Sequence, residues 1–181
     1  RPVLYVGGGV IAAGASRSLA ALAERARVPV VTTLMGRGAF PDHHPLALGM
    51  PGMHGTYTAT TAMQRSDLLV AVGVRFDDRV TANPASFAPH ARVVHVDIDP
   101  SELGKIRVPE LPIHGDANAV LTAMVDIWGD RQASGRSEWL DTLACWQRDK
   151  PLRYDQPDDG PLKAQYVIEE LHRLTEGDAI V

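Results

Sequence analysis

Short apolar runs alternate with amphipathic segments along the first 130 residues of this chain. Four near-continuous apolar runs and a weaker fifth predict buried strands at residues 2–6, 28–33, 66–72, 92–97 and 110–114. Apolar positions at helical spacing predict helices between them, at residues 15–26, 56–64 and 117–128. This alternation predicts an α/β fold: a doubly wound, Rossmann-like parallel sheet of about six strands, covered on both faces, with a C-terminal helical extension.

From residue 134 the pattern changes. A helical face carries Trp139, Leu143 and Trp146, and a stretch rich in Pro, Asp and Gly follows it. The last residues predict an amphipathic helix over 165–175 and a strand that begins at 178, and a unit this small cannot bury a core of its own. We therefore predict a domain over residues 1–133, a helix and interdomain linker over 134–161, and the truncated start of another domain over 162–181.

Composition argues against several classes of function. The net charge of −4 leaves no basic footprint for nucleic acid or an anionic membrane. No apolar run approaches the length of a membrane span. The first residues run directly into a strand, so we expect no signal peptide and a start inside a longer protein. Cys145 is the only cysteine, which excludes an internal disulfide and fits a reducing, cytoplasmic location.

Residues 73–81 place four charges directly after a predicted buried strand. They are Arg75, Asp77, Asp78 and Arg79. In open α/β sheets the carboxyl ends of the strands form the edge where ligands bind. Salt bridges among these side chains would be exposed and contribute only about 0–1 kcal/mol each. The segment therefore predicts a site that grips a ligand carrying phosphates and hydroxyls.

Two glycine-rich segments are further candidates for ligand contact. Residues 7–9 with Ala12 fit the loose dinucleotide pattern G-x-G-x-x-A, although a tight turn without a ligand would also fit. Residues 49–55 contain three glycines before a helix, which suits either close ligand approach or a flexible surface loop. The region around them, residues 35–55, predicts a long functional loop.

Two carboxylates lie near the ends of the later strands. Asp97 stands at a strand tip, free to accept hydrogen bonds from a ligand, while Asp99 with the following Pro100 predicts the cap of a helical turn. Asp116 suits both a helix cap and a ligand contact. Cys145 has no base nearby in sequence, so it is interpreted as a small buried hydrophobe rather than a nucleophile.

Taken together, these motifs resemble the central FAD-binding domain of the catalytic subunit of acetohydroxyacid synthase (acetolactate synthase). Their order and gaps agree across about residues 1–130. The resemblance rests on five segments, residues 3–9, 31–36, 52–55, 73–81 and 96–99. The chain departs from the family at Ala82-Asn83, where the family usually has Gly-Lys, and at Pro51, where many members have Leu.

The resemblance implies an enzyme that condenses two 2-oxo acids with loss of carbon dioxide, in branched-chain amino acid biosynthesis. Such an enzyme uses thiamine diphosphate, magnesium and FAD, and its central domain holds the FAD in an extended form. Its catalytic Glu and its magnesium-binding motif lie in flanking domains, so the resemblance implies no catalytic or metal-binding residue here. It also implies that these residues alone are inactive, with flanking domains, a second catalytic subunit and a regulatory subunit as partners.

Carried over by position, the family's functional residues fall into two groups. Asp78 and Arg79 would face the substrate channel. The implied FAD contacts are Gly8, Thr33, Leu34, Gly52, Met53, His54, Gly73, Val74, Arg75, Phe76, Asp77, Asp97, Ile98, Asp116 and Ala117.

Three other interpretations remain open from the sequence. A similar middle domain occurs in other thiamine-diphosphate enzymes, such as a pyruvate oxidase or a glyoxylate carboligase. A redox electron-transfer flavoprotein domain could have the same fold. A structural domain that has lost its cofactor is the third.

Overall fold

The computed structural model describes residues 1–180, which divide into a compact unit, Arg1–Pro151, and a second unit that begins at Leu152. Six parallel strands run through the first unit: β1 (Pro2–Val6), β2 (Val30–Thr32), β3 (Ala47–Gly49), β4 (Leu68–Val72), β5 (Arg92–Asp97) and β6 (Leu111–His114). They form one sheet in the order β3-β2-β1-β4-β5-β6. The order reverses between β1 and β4, so the predicted doubly wound, six-stranded fold is confirmed.

Helices cover both faces of this sheet. They are α1 (Gly8–Ala12), α2 (Ser16–Ala26), α3 (Tyr57–Arg65), α4 (Asp78–Thr81), α5 (Ala117–Trp128) and α6 (Ser137–Asp149). The second unit contains α7 (Ala164–Thr175). Within residues 1–180, none of the helices has both the length and the apolar character that crossing a bilayer requires.

The alternation of side chains along β1 divides the core into two clusters. Leu4 and Val6 face one side, where they pack with buried residues of α2 and α5. Val3 and Tyr5 face the other side, where they pack with residues of α3 and α6. Because successive side chains of a strand point to opposite faces, a strand buried on both sides needs the unbroken apolar run seen in the sequence.

Helix α6 is part of the first compact unit. Trp139 and Leu143 are buried in the same core cluster as Tyr5, and the Trp139 indole N–H donates to the Pro2 carbonyl at 3.2 Å. The domain boundary at residue 134 stays a prediction, but this packing ties the helix to the sheet that precedes it. Residues 178–180, where a strand was predicted to begin, are irregular, and residue 181 lies outside the described part.

Three local features differ from the expectations. Helix α1 begins at Gly8, soon after β1, whereas the first helix was predicted to begin at residue 15. The predicted loop over residues 35–55 contains strand β3 and the end of a short 3-10 helix, Leu34–Gly36. After Asp99 come turns rather than a regular helix, although the Asp99 carboxylate accepts the Ser101 N–H at 2.9 Å. Short elements of this kind depend on tertiary contacts more than on local propensity.

Candidate functional site

A cleft of about 960 Å³ lies across the carboxyl ends of the strands. It takes residues from the segments that follow β1, β2, β4 and β5, and from the start of α5. It spans the point between β1 and β4 where the strand order reverses. Both the position and the size are those of ligand sites in open α/β sheets, for which volumes of roughly 300–1,000 Å³ are usual.

Glycines bring the ends of β1 and β4 into direct backbone contact. The N–H groups of Gly7 and Gly9 donate to the carbonyls of Val72 and Gly73, at 3.0 and 3.3 Å. A Cβ added at Gly7 would lie 2.0 Å from the Gly73 carbonyl oxygen, so no larger residue fits there. Gly8 differs, because its N–H makes no hydrogen bond within residues 1–180 and Gly8 lines the cleft. Gly8 therefore offers a free backbone donor to a ligand.

The wall after β2 combines a fixed backbone with exposed apolar side chains. The Thr33 hydroxyl accepts the N–H of Gly36 at 3.0 Å and so caps the 3-10 turn. Leu34 and Met35, within this turn, are 70% and 75% exposed, and both line the cleft. Ile98, from the segment after β5, is also exposed at the cleft. Exposed apolar side chains around a concave site suit a flat ring system.

The charged segment after β4 leaves its guanidinium groups available to a ligand. Arg75 lies 3.7 Å from Asp77, and Arg79 lies 3.8 Å from Asp78, with both arginine side chains more than two-thirds exposed. Ion pairs this long and exposed contribute about 0–1 kcal/mol. Asp77 caps α4 by accepting the Arg79 N–H at 3.1 Å, and this hydrogen bond is the largest cause that lowers the pKa of Asp77 below its ordinary value.

An aromatic cluster lies beneath the charged segment. Phe76 is buried with a left-handed backbone, φ 52°, and its ring makes edge contacts with Tyr5, Phe87 and His95. His95 is fully buried, and its Nε2 lies 2.8 Å from the Val74 carbonyl. Because a carbonyl only accepts, Nε2 carries the proton. Nδ1 is enclosed without a partner in the described residues. This hydrogen bond fixes the backbone just before the left-handed Phe76.

Carboxylates lie at the end of the cleft that is formed by the segment after β5 and the start of α5. The Asp97 carboxylate accepts the Asp99 N–H at 2.9 Å, so one of its oxygens is already engaged, and the side chain is largely buried. Asp116 caps α5 by accepting the Ala119 N–H at 2.9 Å, as predicted, and it also lines the cleft. Glu102 adds a third carboxylate to the lining. This end is therefore rich in acceptors, which suits the hydroxyls of a sugar.

The cleft brings together most of the residues expected from the sequence. Those that line it are Gly8, Thr33, Leu34, Gly73, Val74, Arg75, Asp77, Arg79, Asp97, Ile98, Asp116 and Ala117. Gly52, Met53, His54, Phe76 and Asp78 do not line it.

The residues outside the lining nevertheless lie close to the cleft. A Cβ added at Gly52 would lie 2.7 Å from the Arg79 carbonyl oxygen, so the loop that carries Met53 and His54 borders the charged segment after β4. Met53 is 83% exposed there. Phe76 contributes backbone, with its side chain turned into the core.

Sequence reasoning did not choose ten residues of the lining, which are Tyr5, Gly7, Gly9, Ala12, Ala13, Met35, Val80, Val96, Asp99 and Glu102. Met35 and Val80 are neighbours of residues that it chose, so their sequence position was a usable signal. Glu102 lies three residues after Asp99, for which only a capping role was predicted. Tyr5 stands inside an apolar strand and carried no signal of its own.

The fold and the cleft define a Rossmann-like α/β domain with a ligand-sized site at the switch point of its sheet. Residues 1–124 match the family model described as "Thiamine pyrophosphate enzyme, central domain". The chain belongs to this family.

The chain is also similar to curated proteins along nearly its whole length. It is 52% identical to the acetolactate synthase of Mycobacterium avium, over 99% of this chain and 30% of that protein. It is 51% identical to the acetolactate synthase large subunit IlvB1 of Mycobacterium tuberculosis, over the same shares. Identity to the acetolactate synthase isozyme 3 large subunit of Escherichia coli is 45%, over 100% of this chain and 32% of that protein. The chain thus spans about a third of the length of these relatives.

Proposed function

We propose that this domain holds FAD in an acetolactate synthase, a transferase that condenses two 2-oxo acids with loss of carbon dioxide in branched-chain amino acid biosynthesis. The proposal rests mainly on one observation, a continuous cleft that runs across four strand ends at the switch point. The names of the relatives, at 45–52% identity over the whole chain, support the reaction.

The residues of the cleft fit an extended dinucleotide. Asp97 and Asp116 supply acceptors for the adenosine end. In the middle, the free Gly8 N–H and the exposed Arg75 suit the negative charge of a diphosphate. At the other end, Leu34 and Met53 offer exposed apolar surface for the isoalloxazine ring. FAD, when bound, would serve here as a rigid part of the active site rather than as a net oxidant.

The remaining chemistry belongs to other parts of the assembly. In this proposal, thiamine diphosphate and magnesium bind outside residues 1–181, and a second catalytic subunit completes the active site. A regulatory subunit is a further partner, because several relatives are named large subunits. The setting is cytoplasmic. The 181 residues alone should form no acetolactate from pyruvate.

Titration of FAD into the protein at its full natural length, followed by flavin fluorescence, tests the proposal. We expect saturable binding with one FAD per chain. Arg75→Ala should raise the Kd about 10- to 150-fold, because a hydrogen bond to a charged group contributes about 1.5–3 kcal/mol. Asp97→Ala should weaken binding as well.

Arg148→Ala is a matched control. Arg148 is 73% exposed like Arg75, but it lies on α6 and does not line the cleft. The control should bind FAD like the unaltered protein. Absence of saturable FAD binding by the unaltered protein would contradict the proposal.

A further inference from the structure

Tyr5 combines deep burial with an unused hydroxyl. Its side chain is 1% exposed, in the middle of β1. The hydroxyl makes no hydrogen bond within residues 1–180. Among these residues, the fully enclosed side-chain polar atoms without a partner are His95 Nδ1 and Arg107 Nε, so the Tyr5 hydroxyl is not fully enclosed. The hydroxyl therefore keeps a small accessible surface. Tyr5 lines the cleft, so that surface opens into the cleft.

The ring of Tyr5 packs within a buried core cluster. It makes an edge contact with Phe76, at 5.8 Å between ring centroids, and Phe76 in turn contacts His95 and Phe87. A ring packed in this way has no freedom to turn its hydroxyl elsewhere. A buried hydroxyl without a partner is unfavourable by about 1–3 kcal/mol, so it calls for a hydrogen-bond partner from outside the chain.

The side of the sheet on which Tyr5 lies indicates which part of a ligand it meets. Tyr5 belongs to the core cluster of α3 and α6, against which Val80 of α4 also packs. Ala117, which follows Asp116 at the start of α5, belongs with Leu4 to the core cluster on the opposite side of the sheet. The hydroxyl thus lies beside the charged segment after β4 and away from the carboxylates proposed for the adenosine end.

We propose that the Tyr5 hydroxyl donates a hydrogen bond to the flavin half of the bound cofactor, at a ribityl oxygen or a ring heteroatom. This inference rests on the proposed function, since it takes FAD as the ligand. Burial raises the pKa of Tyr5, and the nearby Asp77 carboxylate raises it further, so the phenol keeps its proton and acts as a donor.

Tyr5→Phe, made in the protein at its full natural length, tests the inference, because it removes only the hydroxyl. The Kd of FAD should rise about 2- to 12-fold, the range that corresponds to a neutral hydrogen bond. The Kd of ADP, measured by its displacement of FAD, should stay unchanged because ADP lacks the flavin half. Tyr57→Phe is the matched control, since Tyr57 packs on Trp146 and does not line the cleft.

Three outcomes would overturn the inference. An unchanged Kd for FAD in Tyr5→Phe would show that the proposed hydrogen bond does not form, and it would not contradict the proposed function. An equal loss of ADP and FAD affinity would show that the hydroxyl supports the fold of the whole cleft rather than the flavin half. Failure of the unaltered protein to bind FAD would overturn the inference and the proposed function together.

Discussion

The glycines at the head of the cleft have different physical tasks, and alanine substitution should separate them. A Cβ at Gly7 would lie 2.0 Å from the Gly73 carbonyl oxygen and 2.8 Å from the Gly73 carbonyl carbon. These are backbone atoms of β4's end, which are held by the Gly73 N–H bond to the Val96 carbonyl at 2.9 Å. Gly7→Ala must therefore push two neighbouring strands apart.

The magnitude follows from overpacking of a rigid region, which destabilises by about 1–3 kcal/mol. For a chain of this size that corresponds to a decrease of about 2–12 °C in Tm. Gly8→Ala is the contrasting change, because its Cβ would lie 3.2 Å from the Met35 carbonyl oxygen and needs a shift of only a few tenths of an ångström. Its Tm should stay within about 2 °C of the unaltered protein.

Thermal unfolding followed by far-ultraviolet circular dichroism measures both variants. The FAD affinity should fall in Gly8→Ala despite its normal Tm, because the added methyl group narrows the cleft beside the free N–H. Equal melting of Gly7→Ala and the unaltered protein would refute the packing argument. A lower Tm for Gly8→Ala than for Gly7→Ala would refute it as well.

Two further predictions concern the aromatic cluster under the charged segment. In His95→Gln the side-chain amide can donate to the Val74 carbonyl from the position of Nε2, whereas the shorter side chain of His95→Asn cannot reach it. In urea unfolding, the Asn variant should therefore be less stable than the Gln variant by about 1–3 kcal/mol. Equal stabilities would contradict the role of this hydrogen bond. Burial raises the pKa of Tyr5, whereas the phenol of the unfolded chain loses its proton near pH 10, so this pKa difference leaves stability unchanged well below that pH and destabilises the fold progressively above it. Tyr5→Phe should therefore show a smaller loss of unfolding free energy than the unaltered protein between about pH 10 and pH 11, and parallel losses would contradict the assignment.

The sheet could be predicted from the sequence where strands are long and buried on both faces. The apolar runs of β1, β4 and β5 admit no other regular pattern, and the Asp116 cap locates the start of α5 to the residue. Strand β3 is three residues long and lies among glycines and prolines, so nothing local distinguishes it from loop. Its pairing with β2 defines it.

The site was predictable as a location more than as a set of side chains. Charges directly after a buried strand indicated the edge of the sheet at which the cleft lies, since that argument needs only topology. No local pattern indicates that Phe76 turns into the core, because contacts with Tyr5 and His95 determine the left-handed backbone of this residue in the middle of a charged run. The contact with Phe76 also orients the side chain of Tyr5 toward the cleft, although Tyr5 lies inside an apolar strand.

The crystal structure of the protein at its full natural length with FAD tests the central claim most directly. We expect one extended FAD in the cleft, with adenosine beside Asp97 and Asp116, the diphosphate at Gly8, and the isoalloxazine ring toward Met53. FAD bound away from the strand ends, or in the reverse direction along the cleft, would contradict it.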